Sequence, residues 1–375
     1  MRFAWQPLLL ALAVAACETR EAENYPDVIA ASKYIEYSTW ADATDVCMDK
    51  NLAALDRFIA TTATFIGVDP PNDKIRYLWI PESVQTPDNW TCPLNALGCF
   101  NFGEQPNSIL AETLDLYHEF VHAVAFAALG PTHQVLSEGL AEYLGKPESI
   151  TTTAKDFEAD FTAMLGRSPI PDDYRLAMHY VGSCIEQHGI NKFKDLMHRV
   201  PMDATFDAFA AAHQSVYGES LTVSLARMTA PIHGQIPDTC AGEELPWGDG
   251  PNLELTIHGE CGDDFFYSGG SVADEYQSYK RYLVDVPTAG PYALQLEHAG
   301  QPALAFGDVR SCPGVEFGST YNLDGEAGFG SLNPGLHQLT IGFPPGSGPT
   351  PELELRLTYE GTLTHLPATP RTLGE

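Results

Sequence analysis

Five consecutive residues, His118-Glu119-Phe120-Val121-His122, hold two imidazoles four positions apart and a carboxylate beside the first. On an α-helix, positions i and i+4 share a face. Both rings can therefore address one metal ion, with Glu119 beside them to take a proton from a metal-bound water. Two protein ligands do not complete such a centre: catalytic zinc takes three and leaves a fourth position for water. Glu138 lies sixteen residues after His122, inside Ser137-Glu138-Gly139-Leu140-Ala141-Glu142-Tyr143. It is the obvious third ligand if a second helix turns back on the first. The alternative is an ordinary amphipathic helix with surface histidines.

The setting favours the metal site. Leu114, Tyr117, Val121, Val124 and Ala128 recur at three- and four-residue steps, the period of a helix, and Gly130-Pro131 stops it. The segment carrying Glu138 is also helix-like, and Ser137 is placed to cap its start.

HEFVHA followed by LSEGLAEYL resembles the gluzincin metallopeptidases, in which His-Glu-x-x-His and a downstream Glu bind zinc. The resemblance spans roughly residues 40 to 232, with only these two motifs sharp. It implies that His118, His122 and Glu138 hold one catalytic Zn2+ and that Glu119 is the general base. Gluzincins usually place an acid one turn after the third ligand, bonded to a ligand histidine; Glu142 fits that part, which fixes ring orientation and tautomer. Tyr174-Arg175-Leu176-Ala177 is similar to a tyrosine-bearing helix of aminopeptidase-like gluzincins. That likeness makes Tyr174 the candidate donor to the oxyanion, with Tyr180 and His179 as runners-up. The Gly-x-Met-Glu-Asn segment with which those enzymes grip a free amino terminus is missing, which favours an endopeptidase. In gluzincins a sheet edge before the zinc helix commonly holds extended substrate by strand addition. Ser108–Leu110 is the candidate edge, an internal strand being the alternative.

The elements that must position these residues can be read along the chain. Asp49–Ile66 has helical spacing closed by Gly67, Ile75–Ile80 alternates like a strand, and Phe100–Leu110 reads as a hairpin. Helices are expected at Phe157–Gly166, Tyr174–His188, Phe193–His198 and Phe206–Tyr217. Near Ile232–Asp249 the helical period gives way to Pro, Gly and acidic residues. Short alternating runs follow at Leu253–His258, Tyr279–Val286, Tyr292–Glu297, Leu336–Phe343 and Leu353–Tyr359, the pattern of a β-sandwich or jelly roll. Asn322-Leu323-Asp324-Gly325-Glu326 lacks EF-hand spacing, so no calcium site is read there.

The expected fold class is an α+β zincin-like metallopeptidase domain, with a mixed sheet and a mainly helical C-terminal half, followed by an all-β sandwich or jelly-roll domain. Residues 1–17 form a signal peptide, 18–35 a tether, 36–233 the metallopeptidase domain, 234–252 a linker, 253–361 the β domain and 362–375 a loose tail. Arg2, the short apolar run Leu8 to Ala16 and Val14-Ala15-Ala16-Cys17 resemble a secretory signal ending in a bacterial lipobox. Cys17 would carry the lipid and anchor the body to the cell envelope; plain secretion is the alternative.

With 20 Lys+Arg against 50 Asp+Glu, the surface repels phosphates, which argues against a nucleic-acid partner and leaves membrane contact to the lipid. Export makes disulfides the expectation: Cys92 with Cys99 across a short loop, then Cys240 or Cys261 with Cys312. The partner is a peptide or protein substrate. The competing functions are an inactive surface-binding lipoprotein and a zinc amidase acting on cell-wall crosslinks. The chain contains no Gly-x-Ser-x-Gly elbow, P-loop or Gly-x-Gly-x-x-Gly.

Overall fold

The computed structural model describes residues 25–39, 47–80, 92, 98–101, 107–112, 117–145, 149–150, 157–165, 171–235, 240–248, 250–260, 263–268, 278–298, 301–302, 304–312, 317–324, 328–343 and 352–359. Cys17, Cys261 and the C-terminal tail lie outside them. The class is mixed α and β: among the described residues there are eight helices and several sheets.

The first half opens with β1 (Val28–Ala31) and β2 (Ile35–Thr39), then α1 (Met48–Ile66) and β3 (Ile75–Trp79). β4 (Gly98–Asn101) and β5 (Ser108–Ala111) follow. The sheet order is β1-β2-β3-β5-β4. β2 and β3 are parallel, a pairing that needs a long crossover, and α1 supplies it. Leu52, Leu55, Phe58, Ile59, Ala63 and Ile66 are buried along that helix. Gly67 at φ 71° ends it by donating to Ala63 and Thr64 carbonyls, a left-handed cap that favours glycine.

β4 and β5 form the expected antiparallel hairpin, but β5 also pairs in parallel with β3. Ser108–Leu110 is therefore internal, and the edge belongs to β4. Both hydrogen-bonding sides of β5 are used, because the chain passes back between β3 and β4 before entering the next helix.

That helix is α2 (Tyr117–Leu129), followed by α3 (Gln134–Gly145). Phe120 is fully buried, edge-on to Tyr77 of β3 at 5.2 Å; burying such a ring is worth about 2–3 kcal/mol. Gly130 at φ 74° and Pro131 end α2. α3 starts four residues earlier than a cap at Ser137 implies. His133 begins it: its Nδ1 accepts from Val135 N–H at 3.3 Å. Ser137 sits inside the first turns with its hydroxyl donating to Gln134 O at 3.2 Å, the back-bonding typical of a mid-helix serine.

Two glycines let α3 pack at backbone distance. A Cβ at Gly139 would lie 2.5 Å from Ala177 O, and one at Gly145 would lie 2.7 Å from both Cα and N of His118. Gly145→Ala must push α3 away from α2, and overpacking of this kind costs about 1–3 kcal/mol. A lowered urea midpoint with unchanged slope is the expected result; a midpoint equal to wild type would contradict this close approach.

Next come β6 (Ser149–Ile150), α4 (Phe157–Leu165), α5 (Pro171–His188), α6 (Ile190–Arg199), α7 (Phe206–Tyr217), α8 (Leu221–Arg227) and β7 (Ile232–His233), the last pairing with β6. α8, seven residues capped by Ser220, was not expected from the sequence. Inside this helical layer a polar chain is buried. Tyr180 Oη lies 2.7 Å from His213 Nδ1. His213 Nε2 lies 2.8 Å from Ser224 Oγ, which donates to Glu219 at 2.7 Å. The consistent reading has Tyr180 donating to a neutral His213, which donates onward to Ser224.

His213 is 1% exposed. Burial, helped by His188, pushes its pKa down from 6.5 to about 4. Its folded pKa thus lies below the unfolded one. Between these values the unfolded chain takes up a proton that the folded chain refuses, so stability falls as pH drops. Full stability is kept above about pH 6.5, and about 3 kcal/mol is lost by pH 4 from this residue alone. Urea unfolding from pH 7 to 4 should be less steeply pH-dependent for His213→Gln than for wild type; identical slopes would remove His213 as a source.

The second half is β-rich. It runs through β8 (Glu243–Glu244), β9 (Leu253–His258), β10 (Phe266–Ser268), β11 (Ser278–Val286), β12 (Gly290–His298) and β13 (Gln301–Pro302). β14 (Leu304–Ser311), β15 (Phe317–Asp324), β16 (Gly328–Leu332), β17 (Gly335–Phe343) and β18 (Glu352–Tyr359) complete it. One sheet has the order β10-β11-β17-β14-β15 with β8 beside β11; the other is β13-β12-β18-β9 with β16 beside β12.

Tyr282, Val284, Val286, Leu339 and Ile341 of the first sheet share one buried cluster with Leu253, Ile257, Tyr292, Leu294, Leu353, Leu355 and Leu357 of the second. Period-2 alternation along these strands gives each sheet one apolar face. Cys92–Cys99 and Cys240–Cys312 are disulfides, Cys47 is also disulfide-bonded, and Cys184 is free and buried. Among the described residues no helix is long and apolar enough to cross a membrane.

Candidate metal centre

The crossing of α2 and α3 brings three side chains together. His118 Nε2 lies 3.0 Å from His122 Nε2 and 3.1 Å from Glu138 Oε2. His122 Nε2 lies 3.3 Å from the same carboxylate oxygen. His118 and His122 meet because they are one helical turn apart on α2, with ring centroids 4.7 Å apart. Glu138 reaches them because Gly145 and Gly139 let α3 lie against the backbones of α2 and α5.

The spacing can be compared with what a metal needs. Ligand bonds of about 2.0–2.1 Å in a tetrahedron put donor atoms about 3.3 Å apart. The three observed distances are 3.0, 3.1 and 3.3 Å, so the donors are spaced as one face of such a tetrahedron. Two imidazole nitrogens and a carboxylate oxygen are also a donor set that zinc accepts. Among the described residues these three form the one His/Cys/Asp/Glu group close enough to hold an ion together.

Around them lie the other residues singled out by sequence. Glu142 Oε1 is 3.1 Å from His118 Nδ1, on the ring nitrogen opposite the cluster, and is itself buried. Glu119 is buried beside the rings, at 7% exposure. Tyr174, in the first turns of α5, stacks over His118 with centroids 6.0 Å apart and planes 18° from parallel. The two runners-up point elsewhere. Tyr180 is fully buried on His213, and His179 Nε2 meets Ala230 O at 2.9 Å.

The electrostatics follow from burial and crowding. Burial works against charge on His118, but hydrogen bonds with Glu138 and Glu142 and the field of Glu119 outweigh it and lift the pKa to about 10. Burial would raise the Glu138 carboxyl, yet the charges of His122 and His118 and hydrogen bonds with both hold it well below the usual carboxylate range. A divalent cation binding between these three side chains would displace the proton that pairs His118 with the carboxylates. Burial first, then Glu138, Glu119, Glu142 and Asp173, push the Tyr174 hydroxyl well above its ordinary range. It therefore stays protonated and able to donate at neutral pH.

Gly145 escaped the sequence reading. A glycine inside a helical pattern was the available sign, but its purpose emerges only when His118 is seen against it.

No family model matches the chain, and no curated protein matches it. Among solved structures, the chain is similar to periplasmic inhibitors of g-type lysozyme. PliG of Aeromonas hydrophila is 11% identical over 31% of this chain and 93% of that one, with a TM-score of 0.21. PliG of Salmonella Typhimurium is 11% identical over 32% and 98%, with a TM-score of 0.20. A PliG mutant from Escherichia coli is 13% identical over the same shares, with a TM-score of 0.20. Likenesses of this size assign neither fold nor activity.

Proposed function

We propose that this chain is a zinc-dependent peptidase, an endopeptidase of gluzincin type. The observation that carries the reading is the triangle of His118, His122 and Glu138 donor atoms, with sides of 3.0, 3.1 and 3.3 Å, on a helix that also carries Glu119. The first half is read as a zincin-like domain and the β-rich half as a β-sandwich. An exported chain, lipid-anchored through Cys17, accords with the disulfides Cys92–Cys99 and Cys240–Cys312, which persist in oxidising compartments.

Bound by these three residues, Zn2+ would supply Lewis-acid polarisation of the scissile carbonyl and activation of a water. The chain's own groups do the remainder. Glu119 takes a proton from the attacking water and delivers it to the departing amine. The Tyr174 hydroxyl, kept protonated by burial and then by the acids around it, donates to the carbonyl oxygen as negative charge develops there. Glu142 holds the His118 ring by its far nitrogen, fixing tautomer and orientation so that Nε2 faces the metal position. Glu142→Gln should weaken zinc binding by about ten- to a hundredfold, the usual loss when such a partner is removed. Chelator competition measures it, and unchanged affinity would take Glu142 out of that role.

The activity is tested by digesting a peptide library with and without a chelator. Cleavage that stops with chelator and returns with zinc supports the peptidase. A protein that binds stoichiometric zinc but cleaves no peptide, while releasing an amine from a crosslinked cell-wall fragment, would replace it with an amidase. A protein that takes up no zinc would leave a binding role.

A further inference from the structure

The β-rich half meets the helical half next to the metal centre, and the loop before β10 and the strand β11 both take part, beside Cys47, which is buried in the β-rich half's core. Asp264 lies 2.7 Å from Lys50 Nζ of α1. The next residue, Phe265, receives the Arg57 guanidinium 5.7 Å from its ring centroid. Phe265 has φ 63°, the single positive value among the described non-glycine residues; a bulky side chain adopts that region only when its surroundings hold it there. Two neighbours do so. Asp263 is bound at 2.9 Å by the buried Lys280 ammonium, and the Phe265 carbonyl accepts from Arg281 N–H at 3.1 Å.

Arg281 then reaches across. Its Nη2 donates to Tyr117 Oη at 3.0 Å, with the guanidinium 6.0 Å from the Tyr117 ring centroid and 5.6 Å from that of Tyr279. Tyr117 is the first residue of α2, directly before His118. Its ring also packs on Phe58 of α1 at 4.5 Å.

The position matters because helix ends fray. The first turn has backbone N–H groups without intrahelical partners, and His118 is the second residue of its helix. On one side its backbone abuts Gly145. Tyr117, held by Phe58 and Arg281, fixes the chain immediately before it. We infer that Arg281, supplied by the β-rich half, is a positioning residue for His118 and acts through the Tyr117 hydroxyl. This inference rests on the zinc-peptidase reading and extends it: the second half completes the support of the metal site and is more than an appended module. Donor atoms need placement within about half an ångström, which a frayed first turn does not give.

The test uses the full chain with Arg281→Met, Arg281→Lys, Tyr117→Phe, the double variant Arg281→Met/Tyr117→Phe and Lys50→Ala. Zinc affinity is measured by chelator competition, kcat and KM on a peptide the wild type cleaves, and hydrogen exchange of the first turn of α2 in metal-free protein. Arg281→Met and Tyr117→Phe should each weaken zinc about tenfold, at the low end for lost support of a ligand. Both should lower kcat with KM unchanged and speed exchange at the start of α2. Arg281→Lys should recover part of the loss, and the double variant should be no worse than Arg281→Met. Lys50→Ala, which cuts a surface pair at the same junction, should match wild type.

Wild-type zinc affinity and exchange in Arg281→Met would overturn the inference, as would an equal loss in Lys50→Ala. A wild type that itself binds no zinc would instead remove the peptidase reading, and this inference with it.

Discussion

Glu119→Gln is expected to cleave peptides about a thousandfold more slowly than wild type, within the range of about a hundred- to ten-thousandfold for loss of a general base, while still holding one zinc per chain. The two side chains have nearly the same volume, and at 7% exposure the site tolerates the swap only because shape is kept. What changes is the ability to accept a proton. An amide cannot take one from water at neutral pH, so the step that depends on Glu119 fails. Zinc content should be unchanged, because Glu119 is not among the three clustered donors. Steady-state kinetics with metal analysis on the same sample decides the matter. Full activity would refute Glu119 as base, and loss of zinc together with activity would show that it helps hold the metal instead.

Glu138→Ala should do the reverse and abolish stable metal binding. Removing it leaves two imidazoles on one helix, and the affinity loss should exceed the roughly hundredfold upper figure for an outer partner such as Glu142. It also removes the carboxylate facing His118 at 3.1 Å and His122 at 3.3 Å, so the two rings, 3.0 Å apart at Nε2, lose what keeps them together. The comparison is chelator competition on Glu138→Ala and Glu142→Gln side by side. A Glu138→Ala protein that binds zinc as tightly as Glu142→Gln would show that the third donor comes from elsewhere.

How much of this was legible in the sequence depends on range. The pairing of His118 with His122 follows from the helical repeat alone, and Glu138 needed only one added assumption, that the next helix doubles back. Helix α1 was readable because Leu52, Leu55, Phe58 and Ile59 mark one face and Gly67 closes it. Cys92 and Cys99 could be paired because the loop between them is short, while Cys240 and Cys312, 72 residues apart, left Cys261 as a rival.

What stayed hidden is non-local. Nothing in Ser108-Ile109-Leu110 says that β3 will take its second side, so an edge and an internal strand looked alike. Ser137 has the chemistry of a cap, but the turn after Pro131 starts α3 at Gln134 and gives that role to His133. Leu304–Ser311 carries a glycine and lacks clean alternation, so its pairing with Phe317–Asp324 as β14 and β15 left little local mark. The contact of Arg281 with Tyr117 joins residues 164 positions apart, beyond any periodicity argument.

The most direct test is X-ray absorption at the zinc edge on wild-type protein purified without chelators, with metal content measured on the same sample. One zinc per chain, bound by two imidazole nitrogens and light oxygen donors, with one oxygen donor lost in Glu138→Ala, is the predicted result. Protein without stoichiometric zinc after exposure to the metal, or a spectrum unchanged by removing Glu138, would contradict it.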